Sequence, residues 1–108
     1  MATIITTRER NLSHTKIEVT GSETSDPYIF DSFNFQPISI TAFPATTSSV
    51  RVEYSLSASA EIAAGTANWA PWVHGDVSAV TGETISSPVR ALRIVSGSGS
   101  SVVEFIHR

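Results

Sequence analysis

Apolar and polar residues alternate along much of this chain. From Thr15 to Thr20, Ile17 and Val19 fall on one side, and Lys16, Glu18 and Thr20 on the other. Strict alternation marks a half-buried strand. Val50 to Leu56 repeats the pattern, with Val50, Val52, Tyr54 and Leu56 opposite Arg51, Glu53 and Ser55. After Pro37, Ile38 and Ile40 share a face that Ser39 and Thr41 do not. Thr3 to Thr7 is a β-branched first strand, ended by the polar stretch Arg8 to Ser13. Tyr28, Ile29 and Phe30, with Phe33 and Phe35, form an aromatic-rich strand broken near Asp31-Ser32. Short strands follow at Trp69 to Val73, Val77 to Val80 and Glu83 to Ser86. In Val89 to Val95 both faces carry apolar residues: Val89, Ala91, Arg93 and Val95 on one, Arg90, Leu92 and Ile94 on the other. That is expected of a central strand. Val102 to His107 closes the chain.

Turn chemistry separates these runs. Gly21 to Pro27, Pro44 to Ser49, His74-Gly75-Asp76, Thr81-Gly82 and Ser96 to Ser101 carry the Gly, Pro, Ser and Asp signals of turns and loops. Ser57 to Gly65, "SASAEIAAG", is the one place where a helix competes. Alanine favours it and Ser57 could cap it, but so short a helix is marginal alone. A long hairpin excursion with one helical turn is expected. About eight short strands with turn signals roughly every 8–12 residues predict an all-β fold. The expected fold is an antiparallel β-sandwich, either jelly-roll or immunoglobulin-like, since both give this pattern. No repeat or linker divides residues 1–108, so a single domain is expected. Residues 1–13 read as a strand plus an extended arm. Arg8 and Arg10, within Thr6 to His14, could contact a neighbour, or the segment could be a disordered tail.

Composition narrows the function. The chain has 108 residues and a net charge of −3, which disfavours nucleic acid and anionic membrane surfaces as partners. Lys16 is the only lysine and the other cations are arginines; arginine suits fixed planar contacts, a hint of interfaces. There is no cysteine, hence no disulfide or thiolate metal site. The start, "MATIITTRER", lacks the basic and long apolar regions of a signal peptide. No apolar run approaches the ~20 residues of a membrane span. Without a secretion signal, Asn11-Leu12-Ser13 reads as a chance match to the glycosylation pattern.

Catalytic patterns are missing. His14, His74 and His107 lack metal-ligand spacing, and there is no calcium-binding EF-hand loop. Asp26 and Asp31, in or near loops, leave a calcium-dependent module as a minor variant. His74 reads as a turn histidine facing solvent, although Asp76 is near enough in sequence to pair with it. No G-x-S-x-G elbow is present. "SGSGSS" lacks the Lys-Ser/Thr of a phosphate loop and leads into a strand. The acidic residues are scattered; Glu53 and Glu104 suit solvent-facing positions or salt bridges with Arg51 or Arg90. No enzyme and no cofactor are expected. Trp69 and Trp72 are three residues apart. On a strand an odd offset puts them on opposite faces unless Pro71 bends it. One is then core and the other exposed or at a subunit contact, with a sugar-stacking platform as the alternative.

From Val50 onward the chain has a distinctive order of features. It runs Val52-Glu53-Tyr54-Ser55, a loop, Trp69 to Gly75, Thr81 to Thr84, Ser87 to Arg93, Ser96 to Ser101, then Val102 to Ile106. This resembles small β-rich structural proteins encoded beside the head genes of tailed bacteriophages. The glycine-rich loop usual after Tyr-Ser is replaced by "LSASAEIAAG", so no loop-borne ligand role carries over. The resemblance implies a virion component made in the bacterial cytoplasm: a capsid decoration or cement protein on the major capsid protein, or a head–tail accessory. It also implies a homo-oligomer, with a trimer favoured. A tail or receptor-binding protein, or a carbohydrate-binding module, using its aromatics is the alternative. Trp69, Trp72, His74, Arg8 and Arg10 are the candidate interface or ligand contacts.

Overall fold

A computed structural model describes residues 2–10, 12–30, 37–46 and 48–107. Two antiparallel sheets face each other. The first has the order β1-β2-β10-β5-β8: β1 Thr3–Glu9, β2 Leu12–Thr20, β10 Ser100–His107, β5 Ile38–Phe43 and β8 Thr81–Ile85. The second has the order β3-β9-β6-β7: β3 Glu23–Thr24, β9 Ala91–Ser96, β6 Val50–Ser55 and β7 Ala70–Pro71, with β4 Tyr28–Ile29 also on β9. One short helix, α1 Ser59–Ala64, lies in the β6–β7 connection.

The period-two pattern makes the core. Ile17 and Val19 of β2, Val103 and Phe105 of β10, and Ile38, Ile40 and Ala42 of β5 form one wall. Val50 and Val52 of β6, with Leu92 and Ile94 of β9, form the other, and Phe30 and Trp72 join them. The sandwich is therefore filled rather than hollow at its centre, as small barrels are.

The alternation in Thr15–Thr20, Ile38–Thr41 and Val50–Tyr54 is seen as expected. Among the described residues ten strands form, against about eight expected. The Gly21 to Pro27 loop contains β3, and Ser25 extends its pairing with β9. Its N–H donates to Ile94 O at 2.8 Å, and its Oγ accepts from Ile94 N–H at 2.9 Å. Val77 to Val80 is not a strand; Val77 makes only an isolated bridge to Val50. Thr81-Gly82 is not a turn but the start of β8, where a Cβ on Gly82 would lie 3.6 Å from Ile40 O. Leu56 falls outside β6 and is exposed.

The described residues of Thr6 to His14 belong to the β1–β2 pair, with Thr7 opposite His14 and Glu9 opposite Leu12. Its turn contains Arg10 at φ +53°. Asp31, Phe33 and Phe35 lie outside the described residues. The excursion after β6 does form the helical turn, but Ser57 does not cap it. The N-cap is Ala58, whose N–H donates to Glu61 Oε1 at 3.2 Å. Ser57 Oγ instead accepts from Asn68 N–H at 3.1 Å, closing the base of the loop. Gly65, at φ +79°, ends the helix in the left-handed conformation that glycine tolerates.

Candidate functional site

The two tryptophans divide as their odd spacing requires. β7 is an edge strand, where Pro71 costs no ladder bond. Beyond it, Trp72 N–H donates to Val52 O at 2.9 Å and turns its indole into the core, where the residue is 3% exposed. Its Nε1 donates to Gly75 O at 2.7 Å. Gly75 has φ +60°, so the chain can double back beneath the ring. His74 packs edge-on against Trp72, with centroids 5.1 Å apart, and its Nε2 lies 3.4 Å from Glu83 Oε2. Its partner is thus Glu83 on β8, while Asp76 pairs with Arg51. Trp69 is half-buried on the other side, under Arg93.

That outer face carries an ion-pair network around Glu53. Glu53 and Arg93 are direct partners in the β6–β9 ladder and alternate with core residues, so both point away from the core. Glu53 is 8% exposed. Its Oε1 accepts from Arg93 Nε at 2.7 Å and its Oε2 from Arg51 Nε at 3.0 Å. Arg51 Nη1 donates to Asp76 Oδ1 at 2.9 Å. Burial alone would raise the Glu53 pKa. The hydrogen bonds and charges of Arg93 and Arg51 outweigh it and hold the carboxyl below its ordinary value. Glu53 is therefore not solvent-facing, and its second partner is Arg93 rather than Arg90. Glu104 pairs with His14 across β10 and β2 at 2.8 Å.

Two cavities flank this sheet. One, about 450 Å³, opens at the mouth between the sheets, where the end of β6 and β7 approach β8 and the segment after it. Tyr54, Leu56, Trp72, Val73, Ile85 and Val89 give it an apolar lining, and Glu83, Thr84, Ser86 and Ser87 supply polar groups. Leu56 and Val73 are 67% and 78% exposed. The other cavity, about 440 Å³, lies on the outer face beneath α1, bounded by Pro27, Ile62, Ala63, Ala64, Trp69 and Arg93 among others.

The remaining sequence candidates lie apart from both cavities. Arg8 Nη1 donates to Ser13 Oγ at 2.8 Å beside the β1–β2 turn, and Arg10 is exposed at that turn. At another place Tyr28, Phe30, Phe105 and His107 form an aromatic cluster, with Tyr28 Oη 3.1 Å from His107 Nε2. Among the described residues, no three His, Asp or Glu side chains converge as metal ligands. The described donors therefore do not form a three-ligand set for a metal ion between the sheets. Sequence reasoning missed Tyr54, Glu83 and Arg93 as site residues. For Arg93 a signal was available: it and Glu53 are charged residues at outward positions of strands rich in apolar residues.

No protein-family model matches the chain, and no curated protein matches it. Solved structures match its fold. A cupin superfamily protein from Desulfitobacterium hafniense DCB-2 superposes at TM-score 0.55 with 6% identity, covering 98% of this chain and 75% of that one. A cupin domain from Bordetella pertussis Tohama I also gives 0.55, at 7% identity over 98% of this chain and 91% of its own. A recombinant oxalate oxidase in complex with glycolate gives 0.57 at 12% identity, over 97% of this chain and 49% of that one. At such identities the likeness is one of fold: a β-sandwich of the cupin, jelly-roll type.

These neighbours overturn the expectation of a capsid decoration protein. They are cupin-fold proteins, an enzyme among them, and none of the three is a virion protein. The physical reason for the error is that the quoted pattern consists of strand alternation and turn residues, which unrelated β-sandwiches share. The alternative of a tail or carbohydrate-binding protein using exposed aromatics falls with it. Trp72 is buried and Trp69 is capped by Arg93, so the tryptophans form no open platform.

Proposed function

We propose that this chain is a small-molecule-binding module on a cupin-type sandwich. It takes a neutral ligand with an apolar body and one polar end at the mouth between the sheets. The observation that carries this reading is the cavity of about 450 Å³ behind Leu56 and Val73. Large side chains left open to water around a concave apolar space mark a place for a partner or ligand. Barrel mouths are a preferred place for such sites. Tyr54 supplies a polar end: its ring lines the cavity, and its hydroxyl makes no hydrogen bond among the described residues. Glu83 supplies another, on the rim beside His74. A neutral ligand fits because the lining has no cation to match an anion, and an added cation would compete with His74 for Glu83.

Calorimetric titration with hexanol, cyclohexanol and indole tests the proposal. Saturable binding is expected, weakened by Tyr54→Phe and by Leu56→Ser. Absence of binding by all three probes, or equal binding by wild type and both variants, would overturn it.

A further inference from the structure

Arg93 is held in an unusual way for a strand arginine. Its neighbours Leu92 and Ile94 are buried in the core, so alternation turns Arg93 outward. One edge of its guanidinium is fixed by Glu53, through Nε to Oε1 at 2.7 Å. One face is fixed by Trp69, with Cζ 4.3 Å from the ring centroid. Its η nitrogens make no hydrogen bond among the described residues. Glu53 is shared with Arg51 and so does not neutralise Arg93 alone.

The surroundings match that free edge. Arg93 forms part of the wall of the outer cavity of about 440 Å³. Trp69, Pro27 and the small side chains Ala63, Ala64 and Ala67 form most of the rest. The helix that closes the cavity is a consequence of the sequence: Glu61 fastens its start, Gly65 stops it, and Ser57 pins the returning chain at Asn68. A planar guanidinium with two η nitrogens available is the natural partner of a carboxylate, and its preorganisation limits the entropy lost on binding. The small side chains leave room for a short hydrocarbon body.

We infer that this outer cleft is a second binding site, which takes a small organic carboxylate with its charged end on Arg93 and its aliphatic body against Trp69 and the α1 alanines. It shares no lining residue with the mouth between the sheets, so either site can fail without the other.

The two tryptophans report the two sites separately. In a 1H–15N spectrum of the labelled chain, butyrate is expected to shift the indole N–H signal of Trp69 saturably. The Trp72 signal, whose N–H is held by Gly75, should stay in place. Butyramide, the neutral isostere, and sulfate at matched ionic strength should leave Trp69 unmoved. Arg93→Lys, which keeps the charge but loses the planar fork, should weaken butyrate about tenfold. Ala67→Phe fills the cleft without touching the ion pairs, and should abolish the shift while leaving the melting temperature unchanged. This keeps the test sound if Arg93→Lys folds poorly. An equal response to butyrate and butyramide would overturn the proposal. So would a response to sulfate as large as that to butyrate, unaltered binding in Ala67→Phe, or no shift with butyrate at all.

Discussion

The guanidinium of Arg93 lies over the indole of Trp69, its Cζ 4.3 Å from the ring centroid. The contact ties the loop after α1 to strand β9. Because Arg93 also bonds the nearly buried carboxylate of Glu53, loss of its guanidinium reaches the β6–β9 ladder as well as the loop. Arg93→Met should therefore destabilise the fold by about 2 kcal/mol, below the usual cost of breaking a fully buried pair because Arg51 still serves Glu53. In denaturant unfolding, the double variant Glu53→Gln with Arg93→Met should cost less than the two single changes added together.

Acid should find the same carboxylate. Burial disfavours the Glu53 anion, but the two arginines more than compensate, so its folded pKa lies below the unfolded one. The folded state then binds fewer protons than the unfolded state around that range. The stabilisation is fully present above the unfolded glutamate pKa of about 4.3 and is lost as pH falls through the lower folded value. Glu53→Gln should flatten this part of the stability profile. Melting temperatures of the two proteins from neutral pH downward would show it, with the gap between them narrowing as the pH falls.

The turn before β10 sets a steric limit. Gly99 has φ +67°, and a Cβ there would lie 3.0 Å from Ala45 Cβ. Gly21 has φ +77° with nothing within 4 Å of a Cβ. Both glycine-to-alanine changes incur the left-handed backbone cost of roughly 1 kcal/mol, and Gly99→Ala adds a clash. Chemical denaturation should place Gly99→Ala clearly below Gly21→Ala in stability.

Ser96 gives the opposite expectation. It is 2% exposed, and its Oγ has no hydrogen-bond partner among the described residues. A buried hydroxyl without a partner carries its desolvation cost uncompensated. Ser96→Ala should be neutral or stabilising, by up to about 1 kcal/mol. A loss of similar size in equilibrium unfolding would show that a bound water serves the hydroxyl.

Much of the fold was legible because a strand writes its two faces into every second residue. Ile17 and Val19, Ile38 and Ile40, and Val50 and Val52 all point where their spacing says. The division of Trp69 from Trp72 follows from the same rule. What alternation cannot give is register. Glu53 was visible as an outward acid, but only the β6–β9 ladder sets it opposite Arg93 instead of near Arg90. Gly82 looked like a turn because glycine is the commonest turn residue, yet it sits in β8 beside Ile40 O. The cavities were invisible for a further reason. Each is bounded by segments far apart in sequence, such as Pro27 with Ala64, or Tyr54 with Val89. The functional expectation failed because turns and alternation encode an architecture, and one architecture serves many functions.

On the proposed function, the mouth between the sheets takes a neutral ligand with an apolar body and one polar end. The indole N–H of Trp72 is its most direct reporter, since that ring lines the cavity. Titration of the labelled chain with hexanol should shift this signal saturably and leave that of Trp69 in place. A Trp72 signal that does not move with hexanol, cyclohexanol or indole would mean that the mouth binds no such ligand.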